Sequence, residues 1–249
     1  MNDSIIHIEN LQRNFNVGSE VVRALKGVSF NVNEGEFLTI MGASGSGKTT
    51  LLNILGCLDK PTDGSYLLDN TPVSSLTKNE LARLRNTKIG FVFQSFNLLA
   101  RTTALENTEL PLLYNSTISA KERKKRAIAA LEAVGLADRM DHTPNQLSGG
   151  QQQRVAIARA LVNHPVMILA DEATGNLDTK TSYEIMNLFQ NLNKQGTTIV
   201  FVTHEQDIAS LSKRTITLRD GIIISDKKIE DQKSAAWFLE NLPVNDENI

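Results

Sequence analysis

Short apolar runs alternate with longer amphipathic segments along most of this chain. Apolar runs of this kind predict buried β-strands, and they lie at 37–41, 89–93, 166–170 and 197–203. Apolar residues that recur on one face predict helices at 119–134 and 179–194, and Gly135 and Gly196 mark the ends of these helices. Because strands alternate with helices, the pattern favours an α/β fold with a mostly parallel sheet.

The remaining predicted strands and helices are shorter, and their apolar and polar residues alternate less regularly. Segments rich in β-branched residues predict strands at 6–8, 28–32 and 65–68. The dipeptide Asp220-Gly221 predicts a tight hairpin between strands at 214–219 and 222–224. Further helices are expected at 50–55 and at 77–85, and a third is opened by residues 147–151 and runs through Leu161 until His164-Pro165 stops it. The polar tail is expected to form a short docked helix around its apolar residues, which are Trp237, Phe238, Leu239 and Leu242.

One glycine-rich stretch has the spacing of a phosphate-binding P-loop, Gly42-Ala43-Ser44-Gly45-Ser46-Gly47-Lys48-Thr49. Glycines let the backbone turn tightly enough for its N–H groups to face phosphate oxygens. Lys48 then brings a positive charge to the outer phosphates, and Thr49 offers a hydroxyl to Mg²⁺. An accidental glycine-rich turn is the alternative, but a buried strand precedes this stretch and a helix follows it. The motif by itself indicates only that a nucleoside triphosphate binds.

Composition and charge narrow the classes of function. The 249 residues carry a net charge of −2, so the chain lacks the cationic footprint of a nucleic-acid-binding protein, and no nucleic-acid partner is expected. The basic run at 121–126 is interpreted as a solvated helix face. The single cysteine, Cys57, excludes an intramolecular disulfide and is interpreted as a buried structural thiol. No apolar run approaches the ~20 residues of a membrane helix, and no basic leader opens the sequence, so a cytosolic protein with one large domain is expected.

Polar residues with catalytic chemistry follow the predicted strands. Gln94 follows the strand at 89–93, the pair Asp171-Glu172 follows the strand at 166–170, and His204 ends the strand at 197–203. Ligands of open α/β sheets bind at the carboxyl ends of the strands. Adjacent solvated acids and a structural histidine are the simpler alternatives for Asp171-Glu172 and His204 taken singly. Their convergence with the P-loop favours one shared site.

The segment Leu147-Ser148-Gly149-Gly150-Gln151 opens a predicted helix, and its chance occurrence is on the order of one in a million per position. Together with the P-loop and the strand-end residues, it resembles the nucleotide-binding subunit of ABC transporters over about residues 5–225. The resemblance implies a RecA-like P-loop NTPase core with a mostly parallel sheet, an antiparallel β subdomain and an inserted α-helical subdomain. It implies one ABC ATPase domain at 1–225, with the core at about 1–93 and 164–225 and the helical subdomain at about 94–163. The C-terminal tail then spans 226–249.

The resemblance also assigns roles to matching positions. ATP would be bound by Phe15, Gly42, Ala43, Ser44, Gly45, Ser46, Gly47, Lys48, Thr49 and Thr50. The residues expected to act in hydrolysis are Glu172 as the base, His204 as the switch histidine, Gln94 and Lys48. Mg²⁺ would be held through Thr49, Gln94 and Asp171. Phe15 would stack on adenine, where relatives more often carry Tyr, and an ordinary core Phe is its alternative.

The family works as a head-to-tail homodimer, and each ATP lies between the P-loop of one subunit and the signature motif of the other. The residues expected to act across that interface are Ser148, Gly149, Gly150, Gln151 and Asp178. A narrower resemblance rests on three segments, 56–64, 93–99 and 173–178. They are similar to the macrolide-exporter and lipoprotein-releasing branch, in which the ATPase drives a permease by mechanotransmission.

Because this sequence contains no membrane segment, the resemblance implies a separate permease, which would hold the subunit at the cytoplasmic face of the inner or plasma membrane. The expected docking surface is the apolar stretch Phe96 to Tyr114, for which a local subdomain core is the alternative.

An ATP hydrolase that drives export or extraction of a peptide, lipoprotein or drug-like substrate is the leading prediction. A regulatory ABC ATPase that signals through a permease-like partner to a cell-wall hydrolase is the alternative. A soluble ABC ATPase acting on DNA or ribosomes is disfavoured, because the sequence has neither a coiled-coil insert nor tandem ATPase domains.

Overall fold

The computed structural model describes residues 4–242 and contains two sheets with helices packed around the larger one. The strands are β1 (Ser4–Val17), β2 (Glu20–Asn33), β3 (Phe37–Met41), β4 (Asp63–Leu68), β5 (Thr71–Pro72), β6 (Ile89–Phe93), β7 (Met167–Asp171), β8 (Thr198–Thr203), β9 (Arg214–Arg219) and β10 (Ile222–Lys228). The helices are α1 (Lys48–Leu55), α2 (Lys78–Lys88), α3 (Ala104–Glu109), α4 (Ala120–Ala133), α5 (Gly149–Leu161), α6 (Thr179–Lys194), α7 (Gln206–Ala209) and α8 (Ala235–Glu240).

The larger sheet has six strands in the order β10-β9-β3-β8-β7-β6. All neighbouring pairs are parallel except β9 and β10, which form the hairpin predicted at Asp220-Gly221. This confirms the predicted α/β fold with a mostly parallel sheet. The second hairpin strand is longer than predicted, because it continues to Lys228 rather than ending at 224.

Consecutive residues of the central strands enter opposite hydrophobic clusters. In β3, Phe37 joins one cluster with α4, α5 and α6, whereas Leu38 joins a second cluster with α1 and the smaller sheet. In β8, Phe201 and Val202 divide in the same way. Both faces of the sheet are therefore covered, which is why these strands appear in the sequence as continuous apolar runs.

The smaller sheet is antiparallel, in the order β2-β1-β4-β5. The prediction of short strands at 6–8 and 28–32 was wrong in length, because β1 and β2 form one long hairpin whose tip is Val17 paired with Glu20. Register irregularities interrupt its alternation, and Asn10 has a positive φ of 49° at one of them. Phe15 lies between the strands predicted at 6–8 and 28–32, but in the structure it belongs to β1 and pairs with Val22 of β2.

The fold also includes a buried cysteine and a helix in the C-terminal tail. Cys57 is buried as predicted, and burial raises the pKa of its thiol to about 12 despite the opposing charge of Arg85. The tail helix is present as α8, which packs on α6 with Phe238 stacked on Tyr183 at 4.9 Å between ring centroids. Among residues 4–242 no helix is both long and apolar enough to cross a membrane.

Candidate active site

The P-loop connects the end of β3 to the start of α1. Two properties require glycine in this loop: a side chain would clash with neighbouring backbone atoms, and the backbone angles suit only glycine. A Cβ on Gly42 would lie 2.3 Å from the carbonyl oxygen of Leu218, and a Cβ on Gly47 would lie 2.7 Å from that of Ala24. Gly45 has a φ of 78° and Gly47 a φ of 104°, a left-handed region that other residues enter at a cost. The loop is therefore held close to strands of both sheets.

A cavity of about 910 Å³ opens above this loop. It brings together the P-loop and the three predicted strand-end features, Gln94, Asp171-Glu172 and His204. The P-loop residues that line it are Ala43, Ser44, Gly45, Gly47, Lys48, Thr49 and Thr50. The convergence expected from the strand order is therefore present in the structure.

Several predicted site residues lie outside this lining. Gly42 and Ser46 form the back of the loop, and the buried hydroxyl oxygen of Ser46 has no hydrogen-bond partner among residues 4–242. Phe15 is 37% exposed at the distal end of β1, and its cross-strand neighbour Val22 lines the cavity.

The residues expected to act in trans form a separate set at two helix N-termini. Ser148 caps α5, where its hydroxyl accepts a hydrogen bond from the Gln151 backbone N–H at 3.3 Å. Gln151 returns the bond, because its side-chain oxygen accepts from the Ser148 N–H at 2.9 Å. Asp178 caps α6 in the same manner, through the backbone N–H of Thr181. In one subunit these residues, with Gly149 and Gly150, lie apart from the cavity lining.

Lys48 and the two acids occupy distinct environments within the cavity. The Lys48 ammonium donates hydrogen bonds to the carbonyl oxygens of Gly42 at 2.6 Å and Ala43 at 3.0 Å. Burial raises the pKa of Asp171, the neighbouring Glu172 charge raises it further, and Lys48 lowers it. A partly buried carboxylate is stabilised in its charged form by a nearby cation, and Lys48 of the P-loop is the cation beside Asp171.

Glu172 and His204 face one another across the ends of β7 and β8. The distance between Glu172 Oε1 and His204 Nδ1 is 3.0 Å. Glu172 has a positive φ of 45°, and its N–H donates to the Val202 carbonyl at 2.9 Å, so its backbone is fixed by the adjacent strand. A carboxylate and an imidazole at this distance hydrogen-bond to one another, so each side chain fixes the orientation of the other.

Gln94 is held by a contact that the sequence did not predict. Its side-chain amide donates to Asn176 Oδ1 at 3.1 Å, and the Asn176 amide donates back to the Gln94 carbonyl at 3.1 Å. A Cβ on Gly175 would lie 2.7 Å from the Gln94 side-chain nitrogen, so a side chain at this position would displace the Gln94 amide. The segment 173–178 therefore positions a residue that lines the cavity.

The hairpin Asp220-Gly221 also reaches the site, although the sequence indicated only a turn. Gly221 donates its N–H to the Ser46 carbonyl at 3.0 Å and accepts from the Lys26 N–H at 2.9 Å. Asp220 and Gly221 both line the cavity. The turn between β9 and β10 therefore holds the P-loop in position through the hydrogen bond from Gly221 to Ser46.

The sequence pattern of the ABC transporter family matches residues 25–175. The chain belongs to the ABC transporter ATP-binding family. The ATP-binding protein YknY of Bacillus subtilis is 54% identical to this ABC subunit over 220 residues, which are 88% of this chain and 95% of YknY. The macrolide export ATP-binding/permease protein MacB of Chlorobaculum tepidum is 51% identical over 229 residues, which are 92% of this chain and 35% of MacB.

A solved structure agrees with this assignment. The ATP-binding cassette MJ0796, a dimer in a post-hydrolysis state bound to ADP and Pi, superposes with a TM-score of 0.82 and 49% identity, covering 91% of this chain and 99% of MJ0796. The family assignment, the P-loop NTPase fold and ATP hydrolysis are therefore confirmed. The similarity to MacB confirms the narrower resemblance to the macrolide-exporter branch.

ABC ATPases bind ATP with Mg²⁺, and the residues of this cavity fit both. The glycine loop at the N-terminus of α1 suits the phosphates of ATP. Thr49, Gln94 and Asp171 offer a hydroxyl, an amide oxygen and a carboxylate in the same cavity, which are oxygen donors that Mg²⁺ prefers. Bound Mg²⁺ neutralises charge on the outer phosphates. Among residues 4–242 no group of three or more His, Cys, Asp or Glu side chains forms a separate metal cluster.

Proposed function

We propose that this ABC ATPase drives a membrane permease in the export or extraction of a peptide, lipoprotein or drug-like substrate. Two copies close head to tail on ATP at the cytoplasmic face of the membrane, and the permease is a separate polypeptide. The observation that carries the proposal is a second cavity, a groove of about 1060 Å³ beside the helical region, which is the segment 94–163 that contains α3, α4 and α5. The similarity to MacB supports export as the direction.

This docking groove is formed by α2, β6, α5 and the segment 110–116. Its lining combines apolar side chains such as Phe91 and Tyr114 with the cations Arg83 and Arg159. Tyr114 is 79% exposed and the adjacent Leu113 is 53% exposed. A short amphipathic segment with apolar and acidic side chains fits such a surface.

The sequence left two alternatives for the apolar stretch Phe96 to Tyr114, a docking surface and a local core. Some of its residues are buried and others are exposed. Leu112 is fully buried, and Leu98 and Leu105 pack against the core, so these residues stabilise the helical region. Leu113 and Tyr114 face outward and belong to the proposed docking surface. The buried residues are unsuitable for a docking test, because replacing them would disturb folding.

Docking is tested by expressing the subunit with the permease encoded beside it and purifying the pair in detergent. Leu113→Asp and Tyr114→Asp are expected to lose the permease while ATP binding persists, because an unpaired carboxylate would enter an apolar contact. Ile224→Asp is the matched control, since Ile224 is similarly exposed on β10 at the opposite edge of the sheet. Undiminished co-purification of both the Tyr114 variant in the groove and the Leu113 variant beside it would exclude this docking surface. Substrate movement by the recovered permease would separate export from regulation of a cell-wall hydrolase.

For hydrolysis we propose that Glu172 orients and deprotonates the attacking water. Lys48 places positive charge on the outer phosphates, and His204 contacts the γ-phosphate and holds Glu172. Gln94 would hold Mg²⁺ together with Thr49 and Asp171. Support comes from the 3.0 Å contact between Glu172 and His204 and from the shared cavity of all four residues.

The partner subunit is proposed to complete the site with its signature motif and with Asp178. Ser148, Gly149 and Gly150 stand at the N-terminus of α5, where the backbone N–H groups of the two glycines and the helix dipole favour a γ-phosphate. Their separation from the cavity of their own subunit supports this arrangement. The proposed dimer therefore places one α5 N-terminus over each P-loop.

Glu172→Gln tests the assignment of the base. The amide keeps the size and hydrogen bonding of the side chain but cannot accept the proton, so kcat should fall by about 10²–10⁴-fold while ATP affinity is retained. The variant should elute as a dimer on size exclusion in the presence of MgATP, because closure no longer ends in hydrolysis. Glu205→Gln, an exposed acid next to His204, is the control and should hydrolyse ATP normally. Phosphate release at the parental rate by Glu172→Gln would refute the role of Glu172.

A further inference from the structure

Phe15 is covered on one face by an arginine two residues earlier on the same strand. The guanidinium carbon of Arg13 lies 4.4 Å from the centroid of the Phe15 ring. This is cation–π distance, and an arginine at this distance attracts the negative face of the ring. Because Phe15 remains 37% exposed, the ring still presents surface to a ligand.

Arg13 is itself held by a second, independent contact. Its Nε donates to Asp59 Oδ2 at 2.7 Å, and its Nη2 donates to Asp59 Oδ1 at 3.0 Å. The two side chains are only 23% and 30% exposed, and a bidentate pair of this geometry fixes the guanidinium plane more firmly than a single surface contact does. Asp59 therefore fixes the Arg13 guanidinium that contacts the Phe15 ring.

Asp59 belongs to the turn that follows α1, and α1 begins at the P-loop. Backbone contacts join the same turn to β1, since Thr62 donates to the Gln12 carbonyl at 2.8 Å and its hydroxyl accepts from Asn14 at 3.0 Å. The eight residues of α1 span about 12 Å. The aromatic ring is thus connected to the phosphate-binding loop through one rigid helix.

We propose that Arg13 is a positioning residue for adenine recognition, which holds the Phe15 ring in place for stacking on the base and is itself anchored by Asp59. The inference rests on the adenine-stacking role that the family resemblance implies for Phe15. A ring ordered before binding loses less side-chain freedom when ATP arrives, so the arrangement raises affinity for the base without touching the phosphates. The alternative is that the Arg13–Asp59 pair merely ties β1 to the turn and contributes to stability.

The test measures Kd for ATP and for inorganic tripolyphosphate by calorimetry on the purified full chain. Tripolyphosphate reports on the P-loop alone, because it carries no base. Arg13→Met should raise the Kd for ATP about five-fold and leave that for tripolyphosphate nearly unchanged. KM for ATP should rise in parallel, with kcat at saturating ATP unaltered. Arg123→Met is the matched control, since Arg123 pairs with Glu109 at 3.0 Å at comparable exposure on the helical region.

Phe15→Ala and the double variant separate this inference from the stacking proposal. If Arg13 acts through the ring, adding Arg13→Met to Phe15→Ala should produce no further loss of ATP affinity. Asp59→Asn should show part of the Arg13→Met effect, which gives a second route should Arg13→Met fold poorly. A parental Kd for ATP in Arg13→Met, or an equal loss for ATP and tripolyphosphate, would overturn the role of Arg13. A parental Kd in Phe15→Ala would overturn stacking itself and this inference with it.

Discussion

The turn at Gly221 offers a sharp test of how the phosphate loop is supported. Gly221 has a φ of 81°, and a Cβ at this position would lie 2.6 Å from the carbonyl oxygen of Ala24. Its N–H and C=O join Ser46 of the P-loop to Lys26 of β2. Replacing Gly221 with Ala therefore adds backbone strain and a steric clash at a point that bonds directly to the loop.

The size of the effect follows from two contributions. A left-handed conformation costs a residue with a Cβ about 1–2 kcal/mol. Relieving contact with an interior carbonyl requires a backbone shift that costs about 1–3 kcal/mol more. Gly196→Ala supplies the strain alone, because Gly196 has a φ of 98° and its Cβ would have no neighbour within 4 Å in the part of the chain described here. The expected losses are about 2–5 kcal/mol for Gly221→Ala and about 1–2 kcal/mol for Gly196→Ala.

Two measurements on purified protein check this expectation. Thermal unfolding should show a Tm decrease of about 3 °C per kcal/mol lost, so Gly221→Ala should melt well below Gly196→Ala. ATP affinity should fall only in Gly221→Ala, because only that clash displaces Ser46 and the loop around it. Equal Tm values for the two variants, with parental ATP affinity in both, would refute the reasoning that the hairpin turn braces the P-loop.

Two further predictions concern the buried Cys57 and the partly buried Arg214. Because the folded pKa of Cys57 is about 12 and the unfolded value is near 8.5, the unfolded state loses its proton first, so the free energy of unfolding should fall by about 2 kcal/mol between pH 8 and 10. In urea unfolding of Cys57→Ala, the free energy of unfolding should fall by about 2 kcal/mol less over this pH range than it does in the parent. A variant with the same pH dependence as the parent would contradict the raised pKa of Cys57. Arg214 bonds Asp226 at 2.6 Å and Glu36 at 3.0 Å while only 16% exposed, so Arg214→Met should cost about 3 kcal/mol and lower Tm by about 6–12 °C. Arg139→Met is the control, because the pair of Arg139 with Asp138 is exposed. A Tm decrease for Arg214→Met no larger than that for Arg139→Met would contradict the stabilising role of Arg214.

The pattern of apolar and polar residues was sufficient to predict most strands of the larger sheet. Its central strands are buried on both faces, so continuous apolar runs marked them to within one or two residues. The smaller sheet was harder, because irregularities near Asn10 break the alternation that would have shown β1 as one strand. Phe15 was consequently placed outside the strand that carries it.

The sequence by itself determined the identity of the phosphate loop and the set of residues at the strand ends. Gly42 to Thr49, Asp171-Glu172 and His204 could be found because their chemistry depends on residue type, and because parallel strands bring their carboxyl ends to one edge. Only the tertiary structure decided what holds them in place. The bond from Gly221 to Ser46 and the position of Asp59 beneath Arg13 depend on strand order and on backbone atoms, which leave no signature in the local sequence. Residue type specifies the chemistry of this site, whereas the packing of distant segments specifies its geometry.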